Sequence, residues 1–271
     1  MVIYASRRVV TAAALILTTA VAIFLGKIST MLLLCLMGVL VQYELTNMLL
    51  ANSATQRGFA IVLGQILLLV WLRFAKQWYY FDLCILLAVL LLLAVPAGKS
   101  LSRQHKLGLL VGLICYTSRG LACLYLLYSA STAWVVLVLI ATCSSDTFAY
   151  LVGRRFGRHS LWPAMSKNKT WEGLYAGMCG AVALPALTWL LARSMDWPAW
   201  QYVAASDMLV VSVICAVVAP LGDLCESKLK RIAQIKDSGQ ILPGHGGMLD
   251  RIDGLLPCAI ATWAWLCVVG Q

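Results

Sequence analysis

Long runs of apolar residues constrain the fold of this chain more than any other feature of its sequence. About nine runs approach the length of about 20 residues that a helix needs to cross the hydrocarbon core of a bilayer. They lie at residues 9–26, 29–50, 58–75, 79–97, 107–128, 133–152, 173–192, 207–226 and 254–270. Hydrophobic residues make up 62% of the chain and charged residues 12%, compared with about 45–50% and about 25% in soluble domains. The sequence therefore predicts an all-α, polytopic integral membrane protein with about nine transmembrane helices, and it excludes an ordinary soluble domain.

Positive charges collect on one side of the predicted spans. With nine spans, the N-terminus and every even-numbered connection share a side, which holds sixteen of the 21 Lys and Arg residues; the opposite side holds four, and Arg119 lies within a span. Because Lys and Arg are enriched in cytoplasmic loops, we predict a cytoplasmic N-terminus and an external C-terminus. The polar loops 153–172 and 227–253 then face the cytoplasm.

The polar chemistry of the chain lies in its second half. Residues 1–130 are predicted as N-terminal transmembrane helices, whereas residues 131–271 hold the catalytic transmembrane region and both cytoplasmic loops. No repeat or linker separates these parts, so we predict one continuous membrane unit. The formal net charge of +10 indicates an anionic partner, such as lipid headgroups, nucleotides or nucleic acid; composition does not choose among them.

Two pairs of glycines have the spacing that lets membrane helices approach closely. Gly108 and Gly112 form one pair, and Gly173 and Gly177 form the other. Small residues four positions apart share a helix face and allow two backbones to come together. We predict that both pairs lie at helix–helix contacts.

Ionisable residues within the apolar runs are costly and need an explanation. Glu44 and Asp82 lie near the ends of predicted spans, where a side chain can reach the interface, so a structural role is favoured for each. Arg119 lies among polar residues that could line a cavity and bind phosphate. Asp146 is equally compatible with a nucleotide or metal site and with a buried helix cap.

The end of the eighth predicted span carries a stripe of polar side chains. Asp223, Glu226, Ser227 and Lys230 follow one another at intervals that place them on one helical face. A glycine-rich turn and further carboxylates follow at residues 243–253. Carboxylates from separate elements, cations and approachable backbone N–H groups are what a magnesium-bound polyphosphate requires. This segment therefore favours a metal and phosphate site over a solvated run of charges.

A second basic loop ends in Lys169 and Thr170, directly before the seventh predicted span. Free backbone N–H groups and the helix dipole at a helix start favour phosphate. Taken alone, however, this loop is more typical of an ordinary basic connection.

Residues 227–253 resemble the signature of the phosphatidate cytidylyltransferase family, also called CDP-diglyceride synthetases. The chain matches this 27-residue pattern without a gap. The matching positions are Ser227, Leu229, Lys230, Arg231, Lys236, Asp237, Gly239, Leu242, Pro243, His245, Gly246, Gly247, Met248, Asp250, Arg251, Ile252 and Asp253. Residues 146–157 and 169–173 resemble further motifs of the family, whereas the N-terminal half is similar only in being hydrophobic. One departure is at residues 166–170, where the family usually has Ser-Pro-Lys-Lys-Thr and this chain has Ser-Lys-Asn-Lys-Thr.

The resemblance implies transfer of a cytidylyl group from CTP to phosphatidate, giving CDP-diacylglycerol and pyrophosphate. It implies a divalent metal, Mg²⁺, with one or two ions near the pair Asp223 and Asp250, and it allows a monovalent helper ion. The partners would be CTP, phosphatidate and the lipid bilayer, without nucleic acid and with a homodimer left open. The chain would be a multi-pass protein of the cell's inner membrane with its active face in the cytoplasm.

The site residues implied by the resemblance fall into three groups. The expected metal ligands are Asp223, Asp250, Asp146 and Glu226. The expected catalytic residues are Asp223, Asp250, Lys230, Arg231 and His245. The expected substrate contacts are Lys169, Thr170, Ser227, Lys236, Gly246, Gly247 and Arg251. Because the second pKa of a phosphate monoester is about 6, the lipid nucleophile needs no strong general base, and His245 is expected to orient a phosphate or a ligand.

Two other functions share parts of this pattern. A membrane transporter also places Asp and Arg within spans, but it requires no glycine-rich cytoplasmic loop, and the sequence shows no inverted repeat. A CDP-alcohol phosphotransferase uses an Asp-x-x-Asp-Gly-x-x-Ala-Arg run. Residues 250–254 match only its beginning, since Pro257 and Cys258 stand where Ala and Arg are required.

Overall fold

The part of the chain that the structure describes is mainly helical and contains one small hairpin. A computed structural model describes residues 2–50, 54–74, 79–94, 102–162, 166–235, 237–242 and 246–270. Its α-helices are α1 (Val2–Leu25), α2 (Lys27–Leu49), α3 (Ala54–Arg73), α4 (Tyr79–Ala94), α5 (Arg103–Ala130), α6 (Thr132–Phe156), α7 (Trp171–Ser194), α8 (Ala205–Ile232), α9 (Leu249–Ile252) and α10 (Leu255–Val268). A short 3₁₀ helix, Pro198–Tyr202, precedes α8. The predicted all-α class is therefore confirmed.

Several helices are long and apolar enough to cross a membrane. Six meet this criterion among the described residues, namely α2, α3, α5, α6, α7 and α8. The segment Val10–Leu25 of α1 and the helix α10 are also apolar but shorter. The helices thus support a polytopic membrane protein, while the predicted number of nine spans and their orientation stay predictions.

The chain divides into two compact units, and each is built from separated segments. The first unit contains Met1–Phe74, Pro96–Tyr125 and Leu229–Ile252. The second unit contains Ala75–Val95, Leu126–Lys228 and Asp253–Gln271. The units do not test the predicted division into residues 1–130 and 131–271, which was drawn from the position of the polar motifs.

A two-stranded antiparallel hairpin connects α6 to α7 within the second unit. The strands are β1 (Ser160–Trp162) and β2 (Ser166–Thr170), and Ser160 pairs with Thr170. Thr170 then caps α7, because its Oγ1 accepts a hydrogen bond of 3.2 Å from the backbone N–H of Gly173. The capping hydroxyl satisfies one of the N–H groups that every helix start leaves without an intrahelical partner.

Helices α6 and α7 pack closely because glycines face small residues. A Cβ built at Gly173 would lie 2.8 Å from the backbone oxygen of Ala149, and one at Gly177 would lie 2.8 Å from that of Ser145. This confirms the predicted contact for the second glycine pair. For Gly108 and Gly112 the described residues show no such contact, since beyond the glycine's own helix none of their atoms lies within 4 Å of a Cβ at either position. The spacing permits a close approach without ensuring that a partner helix is there.

Replacing Gly177 by Ala should destabilise the protein, because the added methyl group collides with backbone rather than with a flexible side chain. Overpacking of this kind costs about 1–3 kcal/mol. The matched control is Gly108→Ala, which adds the same methyl group to an open helix position and should leave stability unchanged or slightly higher. Thermal unfolding of the detergent-solubilised variants measures both. Equal midpoints for the two variants would contradict the packing argument.

Candidate functional site

Three carboxylates converge in the second unit. One oxygen from each of Asp223, Glu226 and Asp253 lies within 4.8 Å of the other two. Asp223 and Glu226 are one turn apart on α8, which places them on the same face. Glu226 is buried, and the other two are partly exposed. Three negative charges so close together repel one another and favour a bound cation, and carboxylate oxygens are the ligands that Mg²⁺ and Ca²⁺ prefer.

A lysine from the hairpin supplies positive charge to this group. The ammonium group of Lys169, in β2, makes an ion pair with Oδ2 of Asp223. Both side chains are partly shielded from solvent, with 24% and 37% of their surface exposed, so the pair is screened less than a pair on the open surface. The position beside Asp223 is therefore one at which this protein stabilises a cation.

The charge of Asp253 depends on the same neighbours. Burial among protein atoms raises the pKa of the Asp253 carboxyl well above its usual range, and the negative charge of Asp223 raises it further. A hydrogen bond of 2.8 Å from the backbone N–H of Gly254 opposes this rise. The exposed Asp146, on α6, adds a further negative charge that raises the pKa of Asp253. A cation bound here would favour the charged form of Asp253 and so lower its pKa again.

A glycine brings α8 against the turn that carries Asp253. A Cβ built at Gly222 would collide with the backbone oxygen of Asp253 and would lie 2.7 Å from Cγ of Pro257. The side chain of Asp223 can therefore meet that of Asp253 only because the preceding residue has no side chain.

A fourth carboxylate, Asp250, lies in the first unit and is held by four donors. Its Oδ1 accepts a hydrogen bond of 2.7 Å from the Lys230 ammonium. Its Oδ2 accepts bonds of 3.1 and 2.9 Å from the N–H and hydroxyl of Ser238, and one of 2.8 Å from the N–H of Gly247. The side chains of Lys230 and Asp250 are only 15% and 8% exposed. Asp250 is thus a charged centre around which the glycine-rich loop is arranged.

The backbone at Gly246 needs a glycine. Its φ of 82° lies in the left-handed region, which side chains disfavour. A Cβ there would also lie 2.8 Å from Oδ2 of Asp250. This residue therefore lets the loop turn tightly around the carboxylate.

Comparison with known proteins relates this geometry to a family. The chain matches the Cytidylyltransferase family over residues 6–269. It belongs to this family.

Several relatives match about half of the chain. A phosphatidate cytidylyltransferase of Mycobacterium bovis is 39% identical over 140 residues, which cover 51% of this chain and 42% of the relative. One of Staphylococcus saprophyticus is 36% identical over 143 residues, covering 53% and 52%. The chloroplastic phosphatidate cytidylyltransferase 5 of Arabidopsis thaliana is 41% identical over 128 residues, covering 46% and 30%. The chain thus spans about half, or less, of the length of these curated relatives.

The predicted site residues of this cytidylyltransferase-family chain are divided between the two units. Asp223, Glu226, Asp146 and Lys169 lie in the second unit, and Lys230, Asp250, Gly246 and Gly247 lie in the first. Ser227 is partly exposed on α8, while Arg231 and Arg251 are exposed. His245 and Lys236 fall outside the described residues. The shared metal site expected for Asp223 and Asp250 stays a prediction, and Thr170 is already engaged as the cap of α7.

Two carboxylates near these residues were missed by sequence reasoning. Asp253 matches the family signature. It does not lie on the same helix as Asp223, however, so helical periodicity could not place the two side chains together. For Glu44 a structural role is predicted, but the sequence does not show that the residue contacts the loop that carries Asp250. The sequence does contain one indication for Glu44. Burying a carboxylate within an apolar run costs free energy, so this side chain must find hydrogen-bond donors.

Arg119 has a placement that favours structure over phosphate binding. It is fully buried, and its guanidinium lies 5.2 Å from the centre of the Trp71 ring. A cation over an aromatic face is stabilised by the ring quadrupole.

Proposed function

We propose that this protein transfers a cytidylyl group from CTP to phosphatidate, forming CDP-diacylglycerol and pyrophosphate for phospholipid synthesis. The observation that carries the proposal is the carboxylate group of Asp223, Glu226 and Asp253 beside Lys169 in a chain of the Cytidylyltransferase family. The names of the relatives support the choice of phosphatidate as acceptor. A phosphate oxygen of the lipid attacks the α-phosphorus of CTP, and the bond to the β-phosphate oxygen breaks to release pyrophosphate.

The carboxylates fit a magnesium ion. All three offer hard oxygen ligands. The ammonium of Lys169 is paired with Oδ2 of Asp223, so an ion would bind this oxygen only after Lys169 left it. When bound, the ion would neutralise phosphate charge and so allow two anions to approach. Asp250 would serve a second ion only if Lys230 left its Oδ1. The exposed carboxylate of Asp146 suits a helper ion in the same unit.

The side chains of the protein bind and orient the two substrates. The lipid phosphate is largely dianionic at neutral pH, so catalysis consists mainly of positioning and charge neutralisation. We assign phosphate binding to Lys230, Arg231 and Arg251, and orientation of a phosphate to His245. Further substrate contacts are assigned to Lys169, Thr170, Ser227, Lys236, Gly246 and Gly247. The N–H of Gly247 already donates to Asp250. Gly247 would therefore contact the substrate by close approach of its backbone and not through a hydrogen bond from this N–H.

The proposed setting is the inner membrane of the cell. The active face is cytoplasmic, with the N-terminus inside and the C-terminus outside, as the distribution of Lys and Arg indicates. The acyl chains of phosphatidate remain in the bilayer while CTP arrives from the cytoplasm. The proposal is compatible with a homodimer and involves no nucleic acid.

Incubation of the purified protein with phosphatidate vesicles, Mg²⁺ and labelled CTP should produce a labelled lipid and pyrophosphate. Thin-layer chromatography and a pyrophosphate assay measure the two products. Omission of Mg²⁺ or of phosphatidate is the matched control and should abolish both. A transporter would yield neither product, and a CDP-alcohol phosphotransferase would instead consume CDP-diacylglycerol and release CMP. Either result would overturn the proposal.

A further inference from the structure

A buried glutamate in α2 contacts the glycine-rich loop, although the two are far apart in the sequence. Glu44 is only 2% exposed. Its Oε1 accepts a hydrogen bond of 2.8 Å from the N–H of Met248, and its Oε2 accepts one of 2.9 Å from the N–H of Leu249. The hydroxyl of Ser238 lies 3.3 Å from the same Oε2. These donors explain how a carboxylate can remain at this depth.

Two glycines of the loop make room for this carboxylate. A Cβ at Gly239 would lie 2.7 Å from Oε1 of Glu44. A Cβ at Gly247 would collide with the hydroxyl oxygen of Ser238 and lie 2.6 Å from Oε2 of Glu44. The loop therefore closes on Glu44 from two sides, at positions where any larger residue would push it away.

The same loop atoms also hold Asp250. Ser238 reaches both carboxylates, since its hydroxyl oxygen lies 2.9 Å from Oδ2 of Asp250 as well as 3.3 Å from Glu44. The N–H of Gly247, one residue before the first backbone donor to Glu44, bonds Asp250 at 2.8 Å. Asp250 in turn bonds the ammonium of Lys230 at 2.7 Å. A shift of the loop away from Glu44 would therefore displace Asp250 and Lys230.

We infer that Glu44 is a positioning residue for the transferase reaction, which holds residues 238–239 and 246–250 in the arrangement that presents Asp250 beside Lys230. This inference rests on the proposed function. Glu44 acts through the loop, as it bonds Ser238, Met248 and Leu249 and makes no direct bond to Asp250. Displacement of a reacting group by about 1 Å costs on the order of 10²-fold in rate, so loss of these contacts should lower turnover strongly.

The test compares Glu44→Gln, Glu44→Asp and Thr46→Val. Glu44→Gln keeps the shape but replaces one accepting oxygen by an NH₂ group, which would face a backbone N–H. Glu44→Asp keeps both acceptors on a shorter stem. Thr46→Val is the matched control, because Thr46 is equally buried on α2 and, within the described residues, its hydroxyl donates to the backbone oxygen of Gln42 in its own helix.

We expect Glu44→Gln to lower kcat about 10–100-fold, Glu44→Asp to recover part of this loss, and Thr46→Val to keep wild-type turnover. Hydrogen exchange should accelerate at Met248 and Leu249 in Glu44→Gln but not in Thr46→Val. If Glu44→Gln fails to fold, Glu44→Asp provides the same comparison. Wild-type kcat in a folded Glu44→Gln, or unchanged exchange at Met248 and Leu249, would overturn the inference.

Failure of the proposed function gives a different result. In that case the wild-type protein itself forms no CDP-lipid, which removes the catalytic part of the inference. The exchange measurement, which needs no substrate, then still decides whether Glu44 holds the loop.

Discussion

Replacing Asp223 by Asn should lower cytidylyl transfer by about 10³-fold, which corresponds to about 4 kcal/mol of lost transition-state stabilisation. The substitution removes one negative charge from the group formed with Glu226 and Asp253 and breaks the ion pair with Lys169. Affinity for the metal should fall together with the rate. Initial rates across a Mg²⁺ titration, and binding of Mn²⁺ followed by electron paramagnetic resonance without substrates, measure the two effects.

The matched control for this prediction is Asp196→Asn. Asp196 is exposed and lies outside the carboxylate group, and its φ of 52° is one that Asn tolerates well. This variant should keep both turnover and metal affinity. Near-normal turnover of Asp223→Asn at limiting Mg²⁺ would remove Asp223 from the proposed metal site.

Replacing Lys230 by Met should cost both stability and activity. Asp250 would keep its charge in a nearly buried position without its cation, and breaking a buried pair in this way typically costs roughly 3–5 kcal/mol. Turnover should be lost because the proposed phosphate ligand is gone. Thermal unfolding and the transfer assay separate these two consequences.

The double variant Lys230→Met with Asp250→Asn distinguishes structure from catalysis. It removes both charges, so much of the stability should return, since no uncompensated charge remains. Turnover should not return, because neither charged group is restored. A single Lys230→Met variant as stable as the wild type would contradict the buried ion pair.

Hydropathy predicted the helices because a chain in hydrocarbon must satisfy its own backbone hydrogen bonds. The apolar runs at 133–152 and 207–226 correspond to α6 (Thr132–Phe156) and α8 (Ala205–Ile232). Both helices continue beyond their apolar runs, since intrahelical hydrogen bonds form equally well outside the membrane. The hairpin before α7 could not be predicted, because its residues show no alternation of apolar and polar side chains.

The candidate site was predictable where its residues share one helix. Periodicity alone placed Asp223 and Glu226 on the same face of α8. Their partner Asp253 comes from another element. In the first unit, Glu44 contacts Met248 and Leu249, and nothing local in a single sequence pairs a residue with one about 200 positions away. Likewise, the glycine spacing is the same in α5 and α7, but among the described residues a neighbouring helix contacts the pair Gly173 and Gly177 and not the pair Gly108 and Gly112.

The hydrogen bonds from Met248 and Leu249 to Glu44 bear on any attempt to shorten the protein. Motif searches would place the boundary of a minimal catalytic fragment near residue 130. Such a truncation would delete the acidic group around which the signature loop closes, leaving two backbone amides and two glycines facing a void. The hydrophobic N-terminal half is thus more than an anchor, and shortened versions intended for engineering need to retain α2.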